Sequence, residues 1–212
     1  MTVTEFLLPD LETKLHKQGF KLLHIGELGW AYWFTSKPLK TPNDLKTMKI
    51  FTWAGDFKWE RLWEKAGYNP VPLASVDILS GLQTGLINSF STIPLYALSQ
   101  QSFGIANHML DLKWGVLMAG IVIDNRSWNT ISKKYHEDLI SIAKSIQDKQ
   151  KHFNRNAEQE SIKAMQEYGL KVHSINPNDM ELWKDEVQKM APELRGSIIP
   201  EQIYDKVIEL TQ

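Results

Sequence analysis

KIFTWAGDFKWERLWEKAGYNPVPLA, residues 49–74, reads as strand, helix, strand. Lys49–Trp53 has the β-branched and aromatic make-up of a half-buried strand. Ala54, Gly55 and Asp56 turn the chain, and Asp56 is placed to N-cap a helix. Trp59, Leu62, Trp63 and Ala66 then recur at i, i+3, i+4 and i+7, one apolar helical face, which Gly67 closes. PVPLA is the next short strand. Strands alternating with helices predict an α/β fold with a mainly parallel sheet. Phe51 and Trp53 lie on alternate residues, so they share one face of their strand. They are either core or the lining of a pocket.

Working upstream, residues 10–18 predict a helix closed by Gly19, FKLLHIGEL a strand running into a turn, and WAYWFTS a second strand. In the latter, Trp30, Tyr32 and Phe34 face one side, with Ala31 and Trp33 on the other. KPLKTPNDLK, with two prolines, is a turn-rich connector. Downstream, Ser75 is placed to cap a helix carrying Val76, Leu79 and Leu82 that ends at Gly85. LINSFST is a strand and residues 95–101 a short helix. GVLMAGIVID is a continuous apolar run, expected of a strand covered on both faces.

The last third changes character. Nothing breaks a helix from Lys133 to Tyr168, and Leu139, Ile142, Ile146, Phe153, Ala157 and Ala164 or Met165 keep one apolar stripe. Gly169 ends it. Such a helix is ~54 Å long, more than a small domain spans, so it is expected to straddle two lobes. LKVHSI is the next strand. Asn176 and Pro177 then open a helix running to Pro192, and a final helix spans about Pro200 to Leu210.

The 212 residues are 42% apolar and 23% charged, values of a chain that folds around a core. A net charge of −1 with no basic stripe argues against nucleic acid as a partner. Cysteine is absent, which removes disulfides, thiolate metal sites and cysteine nucleophiles. The first twenty residues lack the basic, apolar and cleavage segments of a signal peptide. No apolar run reaches the roughly 18 residues of a membrane helix. Tryptophan is the one excess: five of the eight fall in the first third.

Histidines 16, 24, 108, 136, 152 and 173 are scattered without ligand spacing. No nucleophile elbow, phosphate loop or dinucleotide fingerprint occurs. Glu12, Glu60 and Glu64 fall on solvated helix faces. The expectation is a protein that is not an enzyme and carries no cofactor or metal.

Pro38, Thr41, Pro42, Asp44, Leu45, Lys46, Lys49 and Ile50, then Asn69-Pro70-Val71-Pro72 and Leu82-Gln83-Thr84-Gly85, stand in a characteristic order. In that order and spacing the chain resembles the substrate-binding proteins of TRAP (tripartite ATP-independent periplasmic) transporters, over about residues 20–170. The resemblance implies a two-lobed fold of the type II periplasmic-binding kind. It implies a protein of the periplasm that closes around a small organic solute and delivers it to membrane permease subunits. The long helix fits one laid across both lobes. Residues 1–35 would be the remnant of lobe one and a crossover strand. Residues 36–125 would be mainly lobe two, crossing back near 90–125, and 126–212 the spanning helix and C-terminal elements.

Two departures qualify what the resemblance implies. Family members begin with a signal peptide and most of lobe one; residues 1–25 look like the end of such a segment, so the chain is expected to be a fragment. A lobe lacking its first strands would leave apolar faces uncovered, and such a chain is expected to be marginal, aggregation-prone or domain-swapped. The family also clamps a solute carboxylate with two arginines; here those positions are Ala31 and Phe51, and the family's asparagine falls at about Ser91 or Thr92. The implied ligand-binding set is Ala31, Trp33, Phe51, Trp53, Gly55, Asp56, Ser75, Phe90, Ser91 and Thr92. Aromatics in place of an arginine imply a solute less polar than the usual dicarboxylates. Relatives with similar strands sometimes work with a tetratricopeptide-repeat partner. The alternatives are the effector-binding domain of a cytoplasmic regulator, against which the missing helix-turn-helix counts, and an enzyme on a doubly wound sheet.

Overall fold

The computed structural model describes residues 2–211, without the side chains of Gln147, Asp148, Lys151 and His152, so the histidine at 152 lies outside the described side chains. The chain divides into two compact units. The first holds the residues up to Gly29, Leu117–Asn156 and those from Glu201 on; the second holds Trp30–Val116 and Ala157–Pro200. Three elements run from one unit into the other: β1 (Phe20–Thr35), β5 (His108–Asp124) and the long helix α7 (His136–Glu167). At 1.5 Å per residue α7 is about 48 Å long.

The second unit is built on the sheet. Its further strands are β2 (Lys49–Trp53), β3 (Asn69–Leu73), β4 (Ser89–Thr92) and β6 (Lys171–Ser174), in the order β3-β2-β4-β1-β5-β6. β2 runs parallel to both β3 and β4, and β5 runs parallel to β6, whereas β1 is antiparallel to β4. Its helices are α2 (Pro42–Lys46), α3 (Phe57–Lys65), α4 (Ile78–Gln83), α5 (Pro94–Ser99), the end of α7, and α8 (Pro177–Leu194). The first unit carries α1 (Val3–Lys17), α6 (Asn125–Thr130), the start of α7, and α9 (Glu201–Thr211). Among the described residues no helix is long and apolar enough to cross a membrane.

Strand alternation sorts the second unit's core into two clusters. Tyr32, Phe34, Phe51 and Met109 belong to one, with Phe90, Ile78, Leu82 and Met165; Trp33, Ile50 and Leu110 belong to the other, with Trp63, Tyr68, Trp183 and Met190. Neighbours along β1, β2 and β5 therefore enter opposite clusters, as a period of two requires.

Local signals account for much of this. Asp56 accepts a hydrogen bond from the Trp59 amide and Asn176 one from the Asp179 amide, so both cap as the sequence predicts. Gly19, Gly67, Gly85 and Gly169 end their helices at positive φ.

Three expectations are corrected. The turn expected between FKLLHIGEL and WAYWFTS is absent: β1 is one strand, and Gly29 absorbs its irregularity at φ +137°. Ser75 caps nothing with its side chain. It starts a 3₁₀ turn, Ser75–Asp77, before α4, and that tighter turn rephases the apolar face. Ile78 and Leu82 are buried, while Val76 is 80% exposed. The apolar run of β5 is not covered on both faces; Met118, Ile121 and Val122 are exposed. The sheet is mainly parallel, as expected, with β1 antiparallel to β4.

Candidate functional site

β2, β3 and β4 are parallel, so their carboxyl ends meet at one edge of the second unit's sheet. Trp53 pairs with Leu73, and the Ala54 amide donates to the Leu73 carbonyl at 3.0 Å. β1, running the other way, brings Tyr32 opposite Thr92, the last residue of β4. α3 and α5 both start at this edge, which is where open α/β sheets take ligands. At the start of α3 the Asp56 carboxylate already accepts from the Trp59 amide at 3.4 Å. The amide closest to hand for an anion is thus partly engaged, leaving the others of the first turn.

Trp53 is 56% exposed, with its ring edge-on to Phe51 at 5.4 Å; Phe51 itself is buried in the first cluster. The two aromatics of β2 thus share a face but not an environment. Gly55 is exposed at φ +93°. Ser75 is half-buried, and its carbonyl accepts from the Tyr96 hydroxyl at 3.5 Å. Ser91 is half-buried and Thr92 buried. Phe90 is fully buried and stacked on Phe34 at 5.4 Å. Ala31 is buried, and Trp33 packs in the second cluster against Trp63 and Trp114. The edge therefore gathers Trp53, Gly55, Asp56, Ser75, Ser91 and Thr92, while Trp33 and Phe90 sit in the interior.

Two features escaped the sequence. The first is a buried polar pair: the Tyr32 hydroxyl donates to Glu158 Oε1 at 3.0 Å, across 126 residues. Burial, then Glu158, then the charge of Asp111 hold the Tyr32 phenol well above its ordinary value of 10.0. Nearby, Lys113 lies over the Trp30 ring at 5.5 Å. The second is a groove of about 620 Å³ floored by Trp63, Trp114 and Trp183 and rimmed by the half-exposed Trp59. The tryptophan excess hinted at an aromatic cluster, but nothing in the sequence paired residues 63, 114 and 183. Among the described residues no three side chains gather to hold a metal ion. His108 and His173 stack with ring nitrogens 2.6 Å apart, a pair of ligands at most.

Comparison with known proteins places this geometry. The family model for bacterial extracellular solute-binding protein, family 7, matches residues 3–196. The chain is 27% identical over 165 residues to the 2,3-diketo-L-gulonate-binding periplasmic protein YiaO of Escherichia coli K12, covering 77% of this chain and 50% of that protein. Among solved structures it is similar to a TRAP periplasmic solute-binding protein from Sulfitobacter with bound β-D-galacturonate. There the TM-score is 0.80 at 19% identity, over 94% of this chain and 65% of the other. A TRAP periplasmic solute-binding protein from Shewanella oneidensis with bound succinate gives 0.87 at 16% identity, over 96% and 67%. At such identities these structures speak to the fold, which is that of two-lobed periplasmic binding proteins. The chain spans about half the length of the curated relative and about two thirds of the two structures. With its family model matched over nearly its whole length, the chain belongs to the bacterial extracellular solute-binding proteins of family 7.

Proposed function

We propose that the protein is the periplasmic solute-binding component of a TRAP-type transporter. It captures a small organic solute and hands it to membrane permease subunits, with a tetratricopeptide-repeat protein as a further partner. In this reading residues 36–125 are mainly lobe two, and the solute meets the carboxyl edge of the sheet. The observation that supports it is the family match over residues 3–196, together with an exposed tryptophan, Trp53, at that edge. The three relatives carry sugar acids or succinate by name. Ala31 and Phe51 stand here where the resemblance puts arginines, so this chain takes a solute less polar than a dicarboxylate. Loss of a charged bidentate hydrogen bond weakens binding by about 1.5–3 kcal/mol.

The test is calorimetry and tryptophan emission with a panel of diacids, sugar acids and uncharged or aromatic solutes. The expected result is binding among the less polar members and none to succinate; micromolar succinate binding would refute the assignment of solute class. Two variants locate the site. Trp53→Ala is expected to melt within a few degrees of the parent and to lose the solute response. Phe51→Ala is expected to cost roughly 3–5 kcal/mol of stability, as a buried aromatic does. A large stability loss in Trp53→Ala with binding intact would move the site elsewhere.

A further inference from the structure

Besides Asp56, Ser75, Ser91 and Thr92, the second unit holds a buried polar pair at β1, Tyr32 with Glu158. Glu158, on α7, is nine-tenths buried. Its Oε1 accepts from Tyr32, and no protein donor reaches its second carboxylate oxygen among the described residues. No lysine, arginine or histidine forms an ion pair with it among the described residues. The second oxygen is not among the buried polar atoms left without a partner, so it keeps contact with solvent and is free to accept from a donor outside the fold. Tyr32 sets its position: opposite Thr92 in the strand register, Tyr32 stands at the edge where Trp53 is exposed, on the same side of the sheet as Phe51. The phenol has spent its proton on Glu158, so it offers an incoming carboxylate no donor. The charge of Asp111 acts on the same phenol.

We propose that Glu158, held by Tyr32, reads the polar end of the solute, and that this end is a hydrogen-bond donor, a hydroxyl or an ammonium, on an apolar body that stacks against Trp53. This rests on the proposed solute-binding function and names the chemistry at that site. It reverses the electrostatics implied by the family resemblance: Ala31 and Phe51 offer a carboxylate no donor, and Glu158 offers an acceptor.

Benzylamine, benzyl alcohol and benzoate share one aromatic body and differ only in the end group, so they test this directly. Binding to the protein is followed by tryptophan emission and by melting temperature. The expected result is that benzylamine and benzyl alcohol bind and benzoate binds at least tenfold more weakly. In Glu158→Gln the advantage of benzylamine over benzoate should fall at least tenfold. In Tyr32→Phe, which frees Glu158 without removing it, the ranking should persist. The wild-type ranking requires no variant to fold. Benzoate binding as tightly as benzylamine, or an unchanged ranking in Glu158→Gln, overturns the inference while leaving solute capture standing. If none of the three binds at millimolar concentration, capture of an apolar-bodied solute at this edge fails, and this inference with it.

Discussion

The second unit contains the same pair of side chains twice. Tyr68 donates to Glu186 at 3.1 Å, and Tyr32 donates to Glu158 at 3.0 Å. Both tyrosines are buried, both glutamates come from the long C-terminal helices, and the partners lie 118 and 126 residues apart. The pairs differ in one cation. Lys46 Nζ sits 2.6 Å from Glu186 Oε1 and 5.1 Å above the Tyr68 ring, which neutralises that carboxylate and ties α2 to α8. Glu158 has no such partner among the described residues. A buried glutamate with a tyrosine and a lysine is a closed structural joint. A buried glutamate with a tyrosine alone lacks that cation, and its second oxygen is not shut away from solvent.

The sharpest break of that comparison is Glu186→Ala. It strands Lys46 and the Tyr68 hydroxyl together, and because Lys46 is partly exposed the loss should sit near the low end for buried pairs, about 3 kcal/mol in urea unfolding. Glu158→Ala strands one hydroxyl and should cost about 1–2 kcal/mol. Equal losses would mean that both pairs are structural.

Lys46→Met turns the closed joint into a copy of the open one. Glu186 would then be a buried carboxylate without a cation, and a loss of about 2 kcal/mol is expected. No loss would show that the lysine adds nothing to the joint.

Alkaline pH probes both phenols. Burial first, then the paired glutamate, raises each above the ordinary 10.0. A raised value means that the protonated form is favoured by folding. The stability each phenol contributes is therefore complete below pH 10 and lost as pH rises beyond it. Phenolate absorbance should show two tyrosines that ionise only as the protein unfolds. In Tyr32→Phe and in Tyr68→Phe one such late phenol should disappear; persistence of both in either variant would contradict the assignment.

The smallest expected effect is acidic. Burial holds His108 and His173 below their ordinary 6.5, with Lys171 adding repulsion at both, His173 bearing on His108, and Lys40 acting on His173. For a lowered value the stability is present above pH 6.5 and declines as pH falls below it. His173→Asn should flatten the stability profile below pH 6.5 without moving the Tyr–Glu pairs. An unchanged slope would show that the imidazole pair does not titrate with folding.

The sequence by itself determined what depends on neighbours in the chain. Asp56 and Asn176 cap because a side-chain oxygen reaches an amide three residues on. Glycines end helices because only they take positive φ cheaply, and the split of Tyr32 from Trp33 comes from a period of two. The alternation of strand and helix from Lys49 onward, and the order of motifs that resembles the family, were legible for the same reason. Only the tertiary structure decided the rest. Phe51 and Trp53 have the same pattern and composition, yet one is buried and the other open, because burial depends on how far β2 extends beyond the elements that cover it. Ser75 has the look of a cap, but a 3₁₀ turn shifts the phase of α4. Glu158 reads as one more residue in a long amphipathic helix, and it becomes a buried carboxylate because α7 lies against β1. No local period encodes a contact across 126 residues. The energy of such a pair comes from the fold that excludes water from it, and that exclusion exists only once the sheet and the helix have met.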